Sequence, residues 1–163
     1  AMNQEAFTMI NRLNKGIVQC RGVYSAWAAS HSVSYHEMLV LYTIREYGCC
    51  TQKQVCDSYI LPKQTIHNVI SSMRERGVLI PAPEHSKGRE KAFILSETGE
   101  TYAADFLQSL DKVKDRALEL FGKEKLQTLT SLLFEFDTVL NTALEETDTE
   151  HGTNRFIPNR KRR

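Results

Sequence analysis

The stretch Thr65-Ile66-His67-Asn68-Val69-Ile70-Ser71-Ser72-Met73-Arg74-Glu75-Arg76-Gly77-Val78-Leu79 decides the fold. Ile66, Val69, Ile70 and Met73 recur at steps of three and four, so a helix through this segment gathers them on one face that must pack inward. Gly77 ends it, as a glycine just past the last periodic residue does. The opposite face is centred on Gln64, Asn68, Ser71 and Glu75, with Thr65, His67 and Ser72 at its margins. It is polar without being a stripe of charge. Carboxamides can pair with both groups on an adenine edge, and threonine can touch a thymine methyl. Lys63, Arg74 and Arg76 lie nearer the flanks, where a cation meets phosphate and positions a helix without reading sequence. A plain solvated amphipathic helix has the same pattern, so the neighbouring segments must decide between the two.

Upstream, Ser34 and Glu37 have the spacing of a capping box and open a helix through Met38, Leu39, Leu41, Tyr42 and Ile44. That helix is apolar almost all round and is expected to be buried, ending near Gly48. Thr51 and Gln54 repeat the capping spacing and start a short helix through Val55, Cys56 and Tyr59. Pro62 then sits where a first helical turn tolerates it. Downstream, Val78-Leu79-Ile80 and Ala92-Phe93-Ile94-Leu95 enclose a polar loop and predict an antiparallel hairpin. The loop tip, His85-Ser86-Lys87-Gly88-Arg89-Glu90-Lys91, puts three cations around a glycine that lets the chain turn. Helices, a tight connection and a hairpin in this order read as a helix-turn-helix with a wing. Lys87, Arg89 and Lys91 suit a neighbouring minor groove, where arginine responds to width and negative potential.

Longer helices flank this core. Phe7, Ile10, Leu13, Ile17, Val18, Val23, Tyr24 and Trp27 predict a first helix over about residues 5–30. Ser96 caps a helix carrying Tyr102, Phe106, Leu110, Val113 and Phe121, which Gly122 breaks. The last helix bears Leu126, Leu129, Leu133, Phe136, Leu140 and Ala143 in the alternating steps of a heptad seam.

Composition bounds the function. The 163 residues are 41% hydrophobic and 25% charged, which suits one domain with a core, and no apolar run is long enough to span a membrane. No secretion signal pattern is present, so a cytoplasmic location is expected. The net charge of +1 conceals an uneven distribution. Residues 62–91 hold 6 basic and 3 acidic side chains, whereas residues 97–150 hold 13 acidic and 5 basic. The basic middle is where phosphates would sit. Arg155, Arg160, Lys161, Arg162 and Arg163 form a basic tail. No P-loop, nucleophile elbow, dinucleotide-binding glycine turn or His-Glu-x-x-His motif is present, and nothing points to an enzyme or a cofactor. Cys20, Cys49, Cys50 and Cys56 are read as reduced thiols. His31, His36 and Glu37 are close in sequence but not at a same-face helical step, so no metal site is expected.

Taken together, residues from about 5 to 146 resemble the MarR family of dimeric winged-helix transcription regulators. Thr65 to Leu79 resembles the family's recognition helix and its exit, and Leu95-Ser96-Glu97-Thr98-Gly99 resembles its Leu-Thr-x-x-Gly start of the fifth helix. The resemblance implies a mostly α fold with a small β-hairpin wing, a winged helix-turn-helix with N- and C-terminal dimerisation helices. It divides the chain into a dimerisation helix over 2–33, a DNA-binding lobe over 34–96, dimerisation helices over 97–147 and a basic flexible tail over 148–163. It further implies a homodimer on a pseudo-palindromic operator in double-stranded DNA, acting as a repressor. The recognition residues would be Lys63, Gln64, Thr65, His67, Asn68, Ser71, Ser72 and Arg74, with Lys87, Arg89 and Lys91 on the wing. Arg89 falls on the family's wing arginine. The Asp that often precedes it by two residues is replaced by Lys87, with Glu90 as a substitute partner for the guanidinium. The family often has arginine where this chain has Asn68 and Ser72, which shifts the expectation toward adenine reading.

Family members are commonly released from DNA by small aromatic or phenolic ligands bound near the junction of dimer arm and DNA-binding lobe. By position, Trp27, His31, Tyr35, Met38, Tyr42 and Phe106 would line such a site, although each also fits a plain core. Another branch of the family senses oxidants through a cysteine in the first helical region, which makes Cys20 the redox candidate, with Arg21 the only nearby group to stabilise a thiolate. The competing class is a winged-helix protein-interaction module without specific DNA binding.

Overall fold

A computed structural model of the chain describes residues 3–151. The elements run α1 (Gln4–Ser30), α2 (Tyr35–Tyr47), β1 (Cys50–Thr51), α3 (Gln52–Tyr59), α4 (Lys63–Glu75), β2 (Leu79–Pro81), β3 (Ala92–Leu95), α5 (Glu97–Phe121) and α6 (Lys123–His151). Two compact units make up the chain, one ending at Ala103 and the other beginning at Ala104. None of the described helices is long and apolar enough to cross a membrane. Helix α6 continues through His151, so it includes the first residues of the segment 148–163 expected as a basic tail. Arg155, Arg160, Lys161, Arg162 and Arg163 lie outside the described residues.

Helices α1, α2 and α3 each start where a side chain satisfies open amides, whereas α4 starts after Pro62 with no side-chain cap. Asn3 accepts from the Glu5 and Ala6 amides at 3.1 and 3.2 Å. Both expected capping boxes form, Ser34 with Glu37 and Thr51 with Gln54. Such caps are each worth about 1 kcal/mol. Helix α2 is the centre of the unit, with Met38, Leu39, Val40, Leu41, Thr43 and Ile44 buried. It packs against α1, α3, α4 and β1. The buried Thr43 hydroxyl donates to the Leu39 carbonyl at 2.9 Å, which satisfies it within the helix.

The turn between α3 and α4 is tight. Ile60 adopts a left-handed conformation at φ 52°, and the Leu61 amide reaches back to the Cys56 carbonyl at 3.2 Å. The Gln52 carboxamide donates to the Lys63 carbonyl at 3.1 Å and ties the two helix starts together. Helix α4 then buries Ile66, Ile70 and Met73, each contributing about 2 kcal/mol. Val69, expected on the same inward face, is only half-buried.

The wing is part of a three-stranded antiparallel sheet in the order β1-β3-β2, one strand more than the hairpin expected from sequence. Leu79 pairs with Leu95, Ile80 with Ile94 and Pro81 with Phe93, while Cys50 pairs with Phe93 and Thr51 with Ala92. A two-residue strand is too short to carry a periodic pattern, so β1 is invisible in the sequence.

Helix α4 leaves its last turn into a densely tied junction with the start of α5. Ser96 accepts from the Gly99 amide at 2.9 Å, its hydroxyl donates to the Gly77 carbonyl, and its own amide donates to the Val78 carbonyl at 3.0 Å. A Cβ on Gly99 would drive into the Val78 carbonyl oxygen, which explains why the Leu-x-x-x-Gly segment needs glycine there. Beside it, Glu37 pairs through Oε1 with Arg76, and its Oε2 accepts from the Tyr102 hydroxyl at 3.2 Å and from the Ser34 amide at 3.3 Å. The Arg76 guanidinium also lies 5.7 Å from the Tyr102 ring centroid. Burial, and then the Glu37 carboxylate, push the Tyr102 phenol above its ordinary pKa.

Two substitutions test this junction by urea denaturation. Gly99→Ala is expected to cost at least about 2 kcal/mol, because the added methyl meets backbone that cannot rotate away. Arg76→Ala is expected to cost about 1–2 kcal/mol, since it leaves the Glu37 carboxylate, with its side chain only 13% exposed, without its cation. An unchanged midpoint in either variant would contradict the assignment.

Candidate nucleic-acid interface

The surface left by α4 is the one its sequence predicts. Lys63, Gln64, His67, Asn68, Ser72 and Arg74 are exposed, and Thr65 and Ser71 are half-buried at the margins. Gln64 and Asn68, one turn apart, are joined by a hydrogen bond from Gln64 Nε2 to Asn68 Oδ1 at 2.8 Å. Arg74 leans back toward the sheet, its guanidinium 5.3 Å from the Phe93 ring centroid. Ser71, Arg74 and Glu75 border a cleft with Leu79 and Pro81. Arg76, expected at the phosphate-contacting flank, is instead drawn to Glu37. The partner lies 39 residues away in sequence, so no local pattern could reveal it.

The wing presents its cations on a short turn closed by backbone hydrogen bonds. Lys87 and Glu90 exchange backbone hydrogen bonds at 3.1 and 2.9 Å, leaving Gly88 and Arg89 as the two turn residues. Gly88 takes φ 57°, while Arg89 is not among the positive-φ residues. This is the arrangement of a hairpin turn with glycine at its first position, whose twist matches the strands. Ser86 fixes the base: its hydroxyl donates to the Ala82 carbonyl at 3.2 Å and accepts from the Ala92 amide at 3.0 Å. Lys87, Arg89 and Lys91 are all exposed. Among the described residues no ion pair joins Arg89 to Glu90, so Glu90 does not take the place of the missing aspartate. The Glu90 side chain instead borders a second cleft with Cys49, Thr51, Gln54, Glu84, His85 and Lys87.

The residues expected to line an effector site are placed differently from one another. Trp27, Tyr35 and Tyr42 are half-buried and His31 is exposed. The Trp27 and His31 rings meet at a tilt of 32° with centroids 4.1 Å apart, and the Arg21 guanidinium lies 5.0 Å from the Tyr35 ring centroid. Met38 is core, at 2% exposure, and Phe106 is buried and belongs to the second unit. Cys20 is exposed. Cys50 is shut away, its thiol pushed up to about 12 by burial and then by neighbouring Cys49, and burial also raises Cys56. Such thiols are poor nucleophiles. No group of three His, Cys, Asp or Glu residues among the described ones is arranged to hold a metal ion.

A family model described as a winged helix DNA-binding domain matches residues 33–99. No curated protein matches the chain. Among solved structures, it is similar to NMB1585, a MarR family regulator from Neisseria meningitidis, at 27% identity and a TM-score of 0.76, over 90% of this chain and 99% of that one. It shares the fold of a mutant Escherichia coli MarR complexed with operator DNA, at 14% identity and TM-score 0.64 over 83% and 99% of the two chains. The same holds for NadR in complex with 4-hydroxyphenylacetate, at 16% identity and TM-score 0.64 over 76% and 91%. The chain thus carries a winged helix DNA-binding domain over residues 33–99 and has the fold of solved MarR family regulators.

Proposed function

We propose that the protein is a homodimeric, sequence-specific DNA-binding repressor that recognises a pseudo-palindromic operator and is released by a small aromatic or phenolic ligand. One observation carries this reading: an exposed polar face on α4 and a two-residue cationic wing turn, in a fold that the E. coli MarR mutant uses in a complex with operator DNA. Lys63, Gln64, Thr65, His67, Asn68, Ser71, Ser72 and Arg74 enter a major groove in this reading. Lys87, Arg89 and Lys91 reach the adjacent minor groove. Two copies place their α4 helices about one DNA turn, roughly 34 Å, apart.

The second copy is supported by apolar side chains that the single chain leaves in water. On α1 these include Phe7, Ile17, Val18 and Val23, and on α6 Leu132, Phe134, Val139 and Leu144. Exposed apolar rows of this kind mark interaction surfaces. The effector is supported by the aromatic Trp27, His31, Tyr35 and Tyr42 and by two proteins of this fold: NadR, seen with 4-hydroxyphenylacetate, and BpsR of Bordetella bronchiseptica, whose DNA binding is regulated by 6-hydroxynicotinic acid.

Fluorescence anisotropy with the DNA upstream of the protein's own gene, beside scrambled DNA of equal length, tests the reading. Affinity for the specific duplex is expected to fall by about a thousandfold between roughly 50 and 200 mM salt as counterions are released. Arg89→Ala is expected to weaken it about tenfold. Equally weak, salt-insensitive binding to both duplexes would favour a protein-interaction module. In sedimentation, the protein is expected to run as a dimer and Phe134→Asp, at a position 70% exposed in the single chain, to shift it toward monomer; a monomeric parent protein would refute the dimer.

A further inference from the structure

We infer that Gln64 and Asn68 act as one coupled reading unit, specific for a single adenine, rather than as two independent contacts. The inference rests on α4 being the DNA-reading helix and adds what its central pair recognises. Both side chains are exposed, one helical turn apart, and already bonded to each other from Gln64 Nε2 to Asn68 Oδ1 at 2.8 Å. Pairs of polar side chains at this spacing stabilise one another on a helix.

The donor and acceptor accounting gives the specificity. A carboxamide offers one oxygen acceptor and two N–H donors. The bond uses Asn68 Oδ1 and one Gln64 N–H. What remains to face outward is the Gln64 Oε1 acceptor beside the Asn68 Nδ2 donors. Exchanging the nitrogen and oxygen of both amides inverts the order but still leaves one acceptor beside one donor. In the major groove adenine shows the complement, an N6 donor next to an N7 acceptor. Guanine shows two acceptors, so one carboxamide oxygen of the pair would face the O6 oxygen with no proton between them. Because each amide orients the other, removing either destroys the same readout. An independent Asn68 would pair with adenine through both of its own groups and would not need Gln64.

The test enriches a random duplex library with the full-length protein and then measures affinities for single-base variants of the enriched site. The expected site holds an adenine in each half at which guanine, or 7-deazaadenine lacking the N7 acceptor, weakens binding about tenfold. Gln64→Ala and Asn68→Ala are each expected to abolish discrimination at that one position, and the double variant to lose no more than either alone. Asn68→Asp keeps an acceptor for Gln64 but removes the outward donor, so it should lose the 7-deazaadenine effect. Circular dichroism checks that the variants are folded, and their salt dependence should match the parent protein. Discrimination lost at two different positions, or losses that multiply in the double variant, would overturn the coupled unit while leaving DNA reading intact. Failure of the parent protein to enrich any sequence would instead overturn the reading helix, and the coupled unit with it.

Discussion

The carboxylate of Glu37 joins three parts of the winged helix. It closes the cap of α2 through the Ser34 amide, holds Arg76 at the end of α4, and accepts from Tyr102 at the start of α5. Its side chain is only 13% exposed, so these partners compensate the cost of taking a charge out of water. An ion pair at an open surface would do little. Here the three contacts share one acceptor group, and the loss of one changes the setting of the others. The α4 exit therefore has a fixed position relative to the helix that precedes the motif and the helix that follows it.

The same constraint separates two kinds of cation on α4 and the wing. Arg76 is committed to the fold and Arg74 leans on Phe93. The wing cations, by contrast, stand on a turn braced by Ser86 and by the Lys87–Glu90 backbone pair. Among the described residues the wing thus presents three exposed cations, Lys87, Arg89 and Lys91, while the exposed face of α4 offers mainly amides, hydroxyls and Lys63. Charge on the wing suits phosphate and a narrow groove, and neutral donors and acceptors on the helix suit base edges. In the proposed function, two neighbouring elements divide positioning from reading.

Much of this was legible because it is local. Capping boxes lie within four residues, the inward face of α4 within two turns, and the wing turn around one glycine. Where the sequence reading missed, distance or brevity was the cause. Strand β1 has two residues and pairs with a segment about 40 positions later, so neither periodicity nor a turn signal marks it. Arg76 looks like a flank cation in any window of α4, and only the chain's return through Glu37 and Tyr102 gives it a structural task. Val69 has the right period for the core, yet it is only half-buried.

By itself, the sequence determined the helices, their caps, the glycines that end them, and the split of α4 into an apolar and a polar face. Those features follow from hydrogen-bonding groups and side-chain periods within a few residues. Tertiary structure alone decided which arginine is spent on the fold and that Gly99 must lie against the Val78 carbonyl. Each of these depends on where side chains and strands end up in space. A chain of side-chain types specifies the first kind of fact, but only the packed backbone brings the partners of the second kind within a few ångströms.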